Sequence, residues 1–545
     1  MKLSVRWDDI VIPVIAMALL AGGARASGTL AGTVLSSQAV VSYSDGAPKS
    51  AVSSPVAISV GKRASLKLTL KKNAETISGL KAIPCSVVND GNYAEDIRVL
   101  LAYTGCAVAT VIQDTNGNGK ADAAETTQVS VLSQLPADQT ADCLLMVLPA
   151  TGAKIGDTGN ITVQALCADE FSTLTSAKLS ATLARPLPTK FAYDAGEALC
   201  SSPIVTRGLA ITGSESGVVY AVHATGKSIG QLAWRFPVKG NVGGAIRGRV
   251  ATDGSSFFFT ANNGYAYCLK ADGSQLWSSQ VAAANVDLEA MPIISANSVS
   301  VACGDGRIRS LDKATGAMLA GSPPMGGGGL STPSMPQLSD MWVGGADGSL
   351  YNLKGDASFT VLSAISVSVK PLTSTPFVDV RTGLVLSATQ EGNAFALRSR
   401  SNEIIWGPKS LGSPVMGSPW VDSRAGSVFF GGSDAAVYGL KVADGSTVPG
   451  YPVKMTCDDG GFVNSPVVAP LSDGHAVLFA ASTGGRVYGL DTANPAAVAQ
   501  FDANDPDAGF VGSPALSGAS ANDVLVAAGR NGKLYGFRVG DALGL

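Results

Sequence analysis

A block of sequence recurs through the last two-thirds of this 545-residue chain, and no other feature constrains its fold as strongly. The block opens on Ser-Pro and a short apolar strand. It continues with Gly-x-Asp/Asn-Gly, then Tyr-Gly/Ala-Leu, and ends on Asp/Thr-Gly. Copies read GSPWVDSRAGSVFFGGSDAAVYGLKVADG from Gly417, NSPVVAPLSDGHAVLFAASTGGRVYGLDTAN from Asn464 and GSPALSGASANDVLVAAGRNGKLYGFRVGD from Gly512. Self-similarity at a fixed period means one supersecondary unit copied many times, each copy burying its apolar faces on its neighbours.

Pro203, Pro292, Pro333, Pro376, Pro419, Pro466 and Pro514 each open a unit, and a further unit without Pro starts near Arg249. The period of roughly 44 residues matches four-stranded propeller blades. Within a unit, runs such as Val218–Val222 and Ser427–Phe430 are rich in β-branched and aromatic residues. Gly/Asp/Asn turns follow them, which is strand-and-turn chemistry. No stretch of the array sustains a helical period. The last unit stops soon after Tyr535–Val539, one strand short. A stray strand, Thr189–Tyr193, stands before the first unit and is expected to complete the last blade and close the ring. The expected class is all-β: an antiparallel β-sandwich followed by an eight-bladed β-propeller over 189–545.

The Thr/Asp-Gly turn followed by a Trp strand appears in ATGKSIGQLAWRF around Trp234 and ADGSQLWSS around Trp277. A third Trp strand, SNEIIWGP, surrounds Trp406. On these segments the units resemble the quinoprotein-type (PQQ-like) propeller repeat, over about 190–545. The resemblance implies the fold, and it implies as an alternative function a PQQ-dependent dehydrogenase with the cofactor in the propeller funnel. Alcohol-oxidising members place an adjacent Cys-Cys pair over the cofactor, with an Asp base and a calcium ion nearby. This chain has no adjacent Cys pair. Asp287, Glu289, Asp379, Asp458 and Asp459 read as solvated loop acids. The expectation is therefore a non-enzyme without PQQ and without catalytic residues. The array also resembles the propeller of the outer-membrane assembly lipoproteins, a scaffold without cofactor, although the first cysteine here is Cys85 and no lipid-anchor cysteine stands near the N-terminus.

A net charge of −3 offers no basic footprint for nucleic acid. The two histidines, His223 and His475, sit in separate repeat turns and support neither a zinc cluster nor a Ser-His-Asp arrangement. Cys-x-x-Cys-His and phosphate-cradling Gly-Lys-Ser/Thr motifs are missing, and Gly326–Gly329 reads as a flexible linker. Residues 1–26 read as a secretory signal. Lys2 and Arg6 are basic, Ile10–Ala21 is apolar, and Ala24-Arg25-Ala26 fits a cleavage site. That predicts export to the periplasm or cell surface, with no transmembrane segment in the mature chain. The expected partner is a protein or glycan at the cell envelope. Export makes the eight cysteines disulfide candidates. Cys85, Cys106, Cys143 and Cys167 precede the repeats and allow three pairings, all left open. Cys268 and Cys303 lie in strand-like runs and read as buried thiols, and Cys200 and Cys457 are scattered.

Residues 27–188 carry a different pattern. Ala39–Tyr43, Val56–Val60, Leu66–Leu70 and Asn160–Ala165 read as strands of an antiparallel sandwich. The segments CSVVNDGNYAEDIRVLL from Cys85 and DCLLMVLPATGAKIGDTGNITVQALC from Asp142 resemble the Asn-x-Gly-Asn turn and the ending of immunoglobulin-like bacterial surface repeat domains. The resemblance implies a presentation module. The Pro-rich stretch Ala184–Pro188 reads as the boundary.

The most specific local motif is DTNGNGKADAAE, Asp114 to Glu125, which fits the twelve-residue calcium loop at every required position. Asp114, Asn116 and Asn118 offer side-chain oxygens, Lys120 its carbonyl, Asp122 an oxygen directly or through water, and Glu125 two oxygens. Gly119 allows the sharp turn. The flanks, Ala107–Ile112 and Thr127–Leu132, read as strands, so the expected site is a structural calcium loop between strands rather than an EF-hand.

Overall fold

The computed structural model describes residues 30–544 apart from 38–39, 45–47, 53–55, 60, 169–172, 285, 336–339, 357, 456–460, 463, 472–475, 496–497, 504 and 506. The signal-like segment 1–26 and Cys457, Asp458, Asp459 and His475 lie outside the described residues. The regular elements described are strands, with one 3-10 turn at Val539–Ala542. Contacts divide the chain after Thr182 into two compact units.

The first unit contains two principal antiparallel sheets. One orders Leu66–Leu70, Lys81–Asn89, Thr140–Pro149 and Ala107–Gln113. The other orders Val131–Leu135, Glu95–Gly105, Thr158–Cys167, Leu174–Leu183 and Ala74–Ile77. Alternate residues are buried. Ile83, Cys85 and Val87 are buried on one sheet, and Ile161, Val163, Ala165 and Cys167 on the other. A period of two buries one face and leaves the other to solvent. The strand after the calcium-type loop starts at Val131, later than Thr127, because Gln128 makes only an isolated bridge to Ile112.

The Asn-x-Gly-Asn turn acts as a plug. Asn89 is fully buried, and its amide Nδ2 donates to the carbonyls of Tyr93 and Leu135, both at 2.8 Å. Its Oδ1 accepts the Gly91 N–H at 2.9 Å. A Cβ on residue 91 would lie 2.7 Å from the Arg63 carbonyl, so the close approach requires Gly. Asn92 accepts the Arg63 N–H at 2.7 Å and donates to the Gly61 carbonyl at 2.9 Å.

The second unit is a succession of short antiparallel meanders, each pairing its strands in chain order. The first runs through Ile204–Thr206, Leu209–Gly213, Val219–His223 and Leu232–Phe236. The same order recurs over 251–280, 293–321, 377–410 and 420–454. The last sheet has only three strands of its own, ending at Lys533–Arg538. Thr189–Asp194, from ahead of the first meander, pairs antiparallel with that last strand. Phe191, Leu199, Tyr220 and Val222 then share one core with Val524, Val526 and Leu534, so the first and last sheets are packed together. The Pro-rich stretch read as the boundary lies inside this unit, where Arg185-Pro186 pairs in parallel with Ala499-Gln500. Inner strands such as Val428–Phe430 and Val477–Phe479 are buried throughout, because both faces of each sheet are covered.

Two repeat signatures have direct structural causes. In Gly-x-Asp/Asn-Gly-x-x-Tyr, the acid or amide caps its own turn and holds the Tyr four residues on. Asp434 accepts the Ala436 N–H at 3.2 Å and the Tyr438 hydroxyl at 3.0 Å. Asp347 does the same with Ser349 and Tyr351. With Asn the polarity reverses, so Asn263 and Asn531 donate to Tyr267 and Tyr535 at 2.7 and 2.9 Å. Where the Tyr is replaced by Arg309, an ion pair to Asp305 substitutes. Asp434→Ala should therefore destabilise the second unit by about 1–2 kcal/mol, and Tyr438→Phe by about 1 kcal/mol. A double-mutant cycle by urea unfolding checks this, and purely additive losses would show the pair to be uncoupled.

In the second signature, an outer-strand Trp lies against the turn Gly of the next meander. A Cβ on Gly273, Gly316 or Gly445 would meet Trp234, Trp277 or Trp406 at 2.6, 2.7 and 2.7 Å respectively. All three glycines have left-handed φ, at 83°, 75° and 69°. Trp277 and Trp406 also donate their indole N–H to the carbonyls of Lys313 and Val442, at 3.0 and 2.8 Å.

Candidate functional site

The Ser/Thr-Pro openings converge. Proline holds the residue before it extended, and there the hydroxyl of one unit receives the backbone N–H of the preceding unit. Thr375 donates to Ser418, Ser418 to Ser465, Ser465 to Ser513, and Ser513 across the chain ends to Ser202, at 2.8–2.9 Å. Met291 likewise donates to Thr332 at 3.0 Å. Arg249 and Met291 carry no hydroxyl, so the relay is interrupted at those units.

A cavity of about 570 Å³ opens over this relay and is lined by Ser202, Ser418, Ser465 and Ser513. Each of these hydroxyls accepts an amide and still carries an O–H donor. Arg247, Glu215, Glu289, Arg530, Asn464 and Cys200 also line it, and among the described residues none of the lining is aromatic. Arg247 bonds both carboxylates, donating to Glu215 through Nε at 3.1 Å and through Nη2, and to Glu289 through Nη1 at 3.2 Å. The guanidinium holds the Glu215 carboxyl below the usual range. Arg530 is exposed and makes no ion pair among the described residues. Asn464, 4% exposed, donates to the carbonyls of Ala481 and Phe510, and its Oδ1 has no partner. Burial and Glu215 push the Cys200 thiol up, and its Sγ contacts the Ile246 carbonyl at 3.4 Å, which keeps it protonated. The site is thus rich in donors: Arg247 is shared by two carboxylates, and Arg530, which makes no ion pair among the described residues, adds its charge to the field that lowers Glu215, so the four charges cancel.

Some sequence expectations hold here and others change. Glu289 is an exposed acid, as read, and in addition pairs with Arg247. Asp379 is buried, 5% exposed, and caps a turn by accepting the Arg381 N–H and the Thr382 hydroxyl. Asp287 lies in the adjoining loop, 3.4 Å from the Asn262 amide. Gly326–Gly329 is not a flexible linker. It is a hydrogen-bonded turn joined to Gly304, Ala346 and Asp347, with four left-handed glycines. Cys268 and Cys303 are buried, and burial pushes both thiols up to about 11. Glu215, Arg247 and Arg530 escaped the sequence reading because they sit in different units with no shared spacing.

The Asp114–Glu125 loop folds on itself. Gly117 and Gly119 take left-handed φ of 67° and 72°. Asp114 Oδ2 accepts the Gly119 N–H at 2.8 Å, while its Oδ1 is buried without a hydrogen-bond partner. Asn116 and Asn118 donate their amides to Asp122 at 2.6 and 2.8 Å. Their own oxygens accept the N–H groups of Asn118 and Lys120. Glu125 accepts from the Thr115 N–H and hydroxyl, and these bonds with that from Asp122 hold its carboxyl below the usual range against some desolvation. In this arrangement loop donors occupy Asp122 and Glu125, and among the described residues no group of three or more His, Cys, Asp or Glu is gathered as for a metal ion.

Residues 215–451 match the family model described as outer membrane protein assembly factor BamB. BamB from Moraxella catarrhalis is 18% identical, covering 65% of this chain and 99% of its own, with a TM-score of 0.49. The computationally designed Ika8 protein aligns with a TM-score of 0.52 at 12% identity, over 64% of this chain and 99% of its own. Sqt1 from Chaetomium thermophilum aligns with a TM-score of 0.53 at 12% identity, over 65% and 99%. No curated protein matches the chain. Among the described residues no helix is long and apolar enough to cross a membrane. The chain is all-β and carries a PQQ-like, BamB-like repeat in a β-propeller.

Proposed function

We propose that the chain is an exported, non-enzymatic binding protein. In this reading an immunoglobulin-like antiparallel sandwich presents an eight-bladed propeller to a protein or glycan partner at the cell envelope or surface. The eight sequence units and the successive meanders support the blade count. The family match supports a scaffold, since its model is described as an assembly factor. The observation that carries the reading is the cavity where repeat hydroxyls, Arg530 and the orphan Asn464 oxygen converge. The hydroxyls and Arg530 suit acceptor groups of a partner and the Asn464 oxygen a donor, and among the described residues the lining offers no aromatic ring on which to stack a planar quinone.

The partner captured from envelope extract by the full chain should bind Arg530→Glu roughly 10–100-fold more weakly, the loss of one charge-assisted hydrogen bond worth about 1.5–3 kcal/mol. Unchanged affinity would remove the cavity from the interface. Tight uptake of PQQ with turnover of alcohols or sugars would replace the scaffold reading with the quinoprotein one.

We also propose that the Asp114–Glu125 loop takes a structural calcium ion through Asp114, Asn116, Asn118, the Lys120 carbonyl, Asp122 and Glu125. The buried, unpartnered Asp114 Oδ1 supports it. The ion would displace the internal donors on Asp122 and Glu125. With a dissociation constant of about 10⁻⁴ M, 1 mM calcium would stabilise the first unit by ~1.4 kcal/mol. Calorimetry of the full chain should show its lower transition fall by a few degrees in chelator, and an identical melt with no binding heat removes the ion.

A further inference from the structure

We propose that Cys85 and Cys143 form a cross-strand disulfide, and that it is the one disulfide among the four cysteines of the first unit. The strand register places the two residues directly opposite each other on Lys81–Asn89 and Thr140–Pro149. Directly opposed residues in antiparallel strands lie about 4.5–5.5 Å apart at Cα, inside the window of about 4.4–6.8 Å that a disulfide spans. Both residues are buried, at 5% and 1% exposure, and the thiol of each is in hydrogen-bonding contact with the other.

The same register removes every two-bond pairing. Every two-bond pairing of Cys85, Cys106, Cys143 and Cys167 requires Cys106 to bond one of the others. Cys143 lies opposite both Cys85 and Gln113, whereas the strand that begins just after Cys106 pairs Ala107 with Pro149. At ~3.4 Å per residue, Cys106 is more than roughly 20 Å along the strand from Cys85 and Cys143. Gly105 lies opposite Gly159 and Ile97 opposite Cys167, so Cys106 and Cys167 stand at opposite ends of one strand pair. Cys106 therefore stands too far from Cys85, Cys143 and Cys167 for a disulfide.

The pair also sits under the calcium-type loop. A cavity of about 90 Å³ is lined by Cys85, Cys143, Asp114, Gly117, Gly119 and Asp142. The bond would fasten the two strands on which the loop rests. In forming it, two S–H bonds break and one S–S bond forms. Two protons and two electrons pass to a disulfide oxidant, such as oxidised glutathione or a dithiol oxidase, whose own S–S bond is reduced to two thiols. Because the pair is buried, exchange takes place before the loop packs down or when it opens.

Oxidation in the cell rests on the export reading, so the test has two arms. The full chain is recovered from an oxidising host compartment, and separately equilibrated with oxidised glutathione in mild denaturant. Each sample is alkylated, digested without reduction and mapped by mass spectrometry. The expected result is one linked peptide pair holding Cys85 and Cys143, with the denatured thiol count lowered by two and restored by reductant. A bond formed only with glutathione upholds the geometry and counts against export. Alkylation of both cysteines in both arms overturns the proposal, as does either cysteine linked elsewhere. Cys85→Ser, in which the count should not fall, controls for other pairings.

Discussion

Trp406→Ala should destabilise the second unit by about 3–5 kcal/mol, the range for deleting a buried aromatic side chain. Trp406 is 8% exposed on the outer strand Ile404–Ser410. It belongs to one core with Leu440 and Val442 of the next meander, and its Nε1 donates to the Val442 carbonyl at 2.8 Å. Truncation empties that volume and strands the carbonyl, two losses that compound. Trp406→Phe keeps most of the burial and should cost about 1–2 kcal/mol. Gly445→Val tests the contact from the other side, since its Cβ would stand 2.7 Å from the indole on backbone with a φ of 69°. Urea unfolding followed by circular dichroism measures all three. A loss under 1 kcal/mol for Trp406→Ala would mean that the Trp strand does not join neighbouring sheets.

Asn89→Ala should have a comparable effect on the first unit, about 3–5 kcal/mol. Its amide satisfies three backbone groups, the N–H of Gly91 and the carbonyls of Tyr93 and Leu135. Removing the side chain leaves all three without their partner, and each buried unsatisfied group costs about 1–3 kcal/mol. The sum falls short of full additivity because water enters the vacated space. Asn89→Asp should be no better, since a carboxylate supplies neither donor and is buried without a cation. Asn92→Ala should cost less, about 1–2 kcal/mol, because Asn92 keeps 6% exposure where Asn89 has none, so water can more readily replace its partners. Thermal unfolding of the full chain separates the outcomes. If Asn89→Ala melts like the unaltered protein, the turn is not held by this amide.

These two positions also mark how far the sequence was legible. The Trp strand and the Asn-x-Gly-Asn turn could be picked out because each is local: a short pattern whose partners lie within one unit or the next. The strand Thr189–Asp194 was readable for a different reason, since a repeat array one strand short at its end requires a strand from elsewhere. The hydroxyl relay was only half readable. Ser-Pro stood out as punctuation, but the bond from Ser513 to Ser202 spans 311 residues and has no local signal.

What the sequence alone determined is whatever repeats or has fixed spacing: the all-β class, the Gly/Asp/Asn turns between strands, and the oxygen-rich loop from Asp114 to Glu125. Hydrogen-bond geometry and strand period act over a few residues, so a few residues suffice to express them. Tertiary structure decided what depends on convergence. It brought Arg247 to Glu215 and Glu289, placed Arg530 at the cavity with no ion pair among the described residues, buried Asp379 in its turn, and set Cys85 opposite Cys143 while carrying Cys106 too far from both for a disulfide. Those outcomes follow from strand register and from the packing of distant meanders on one another, and both are fixed only when each unit has folded as a whole.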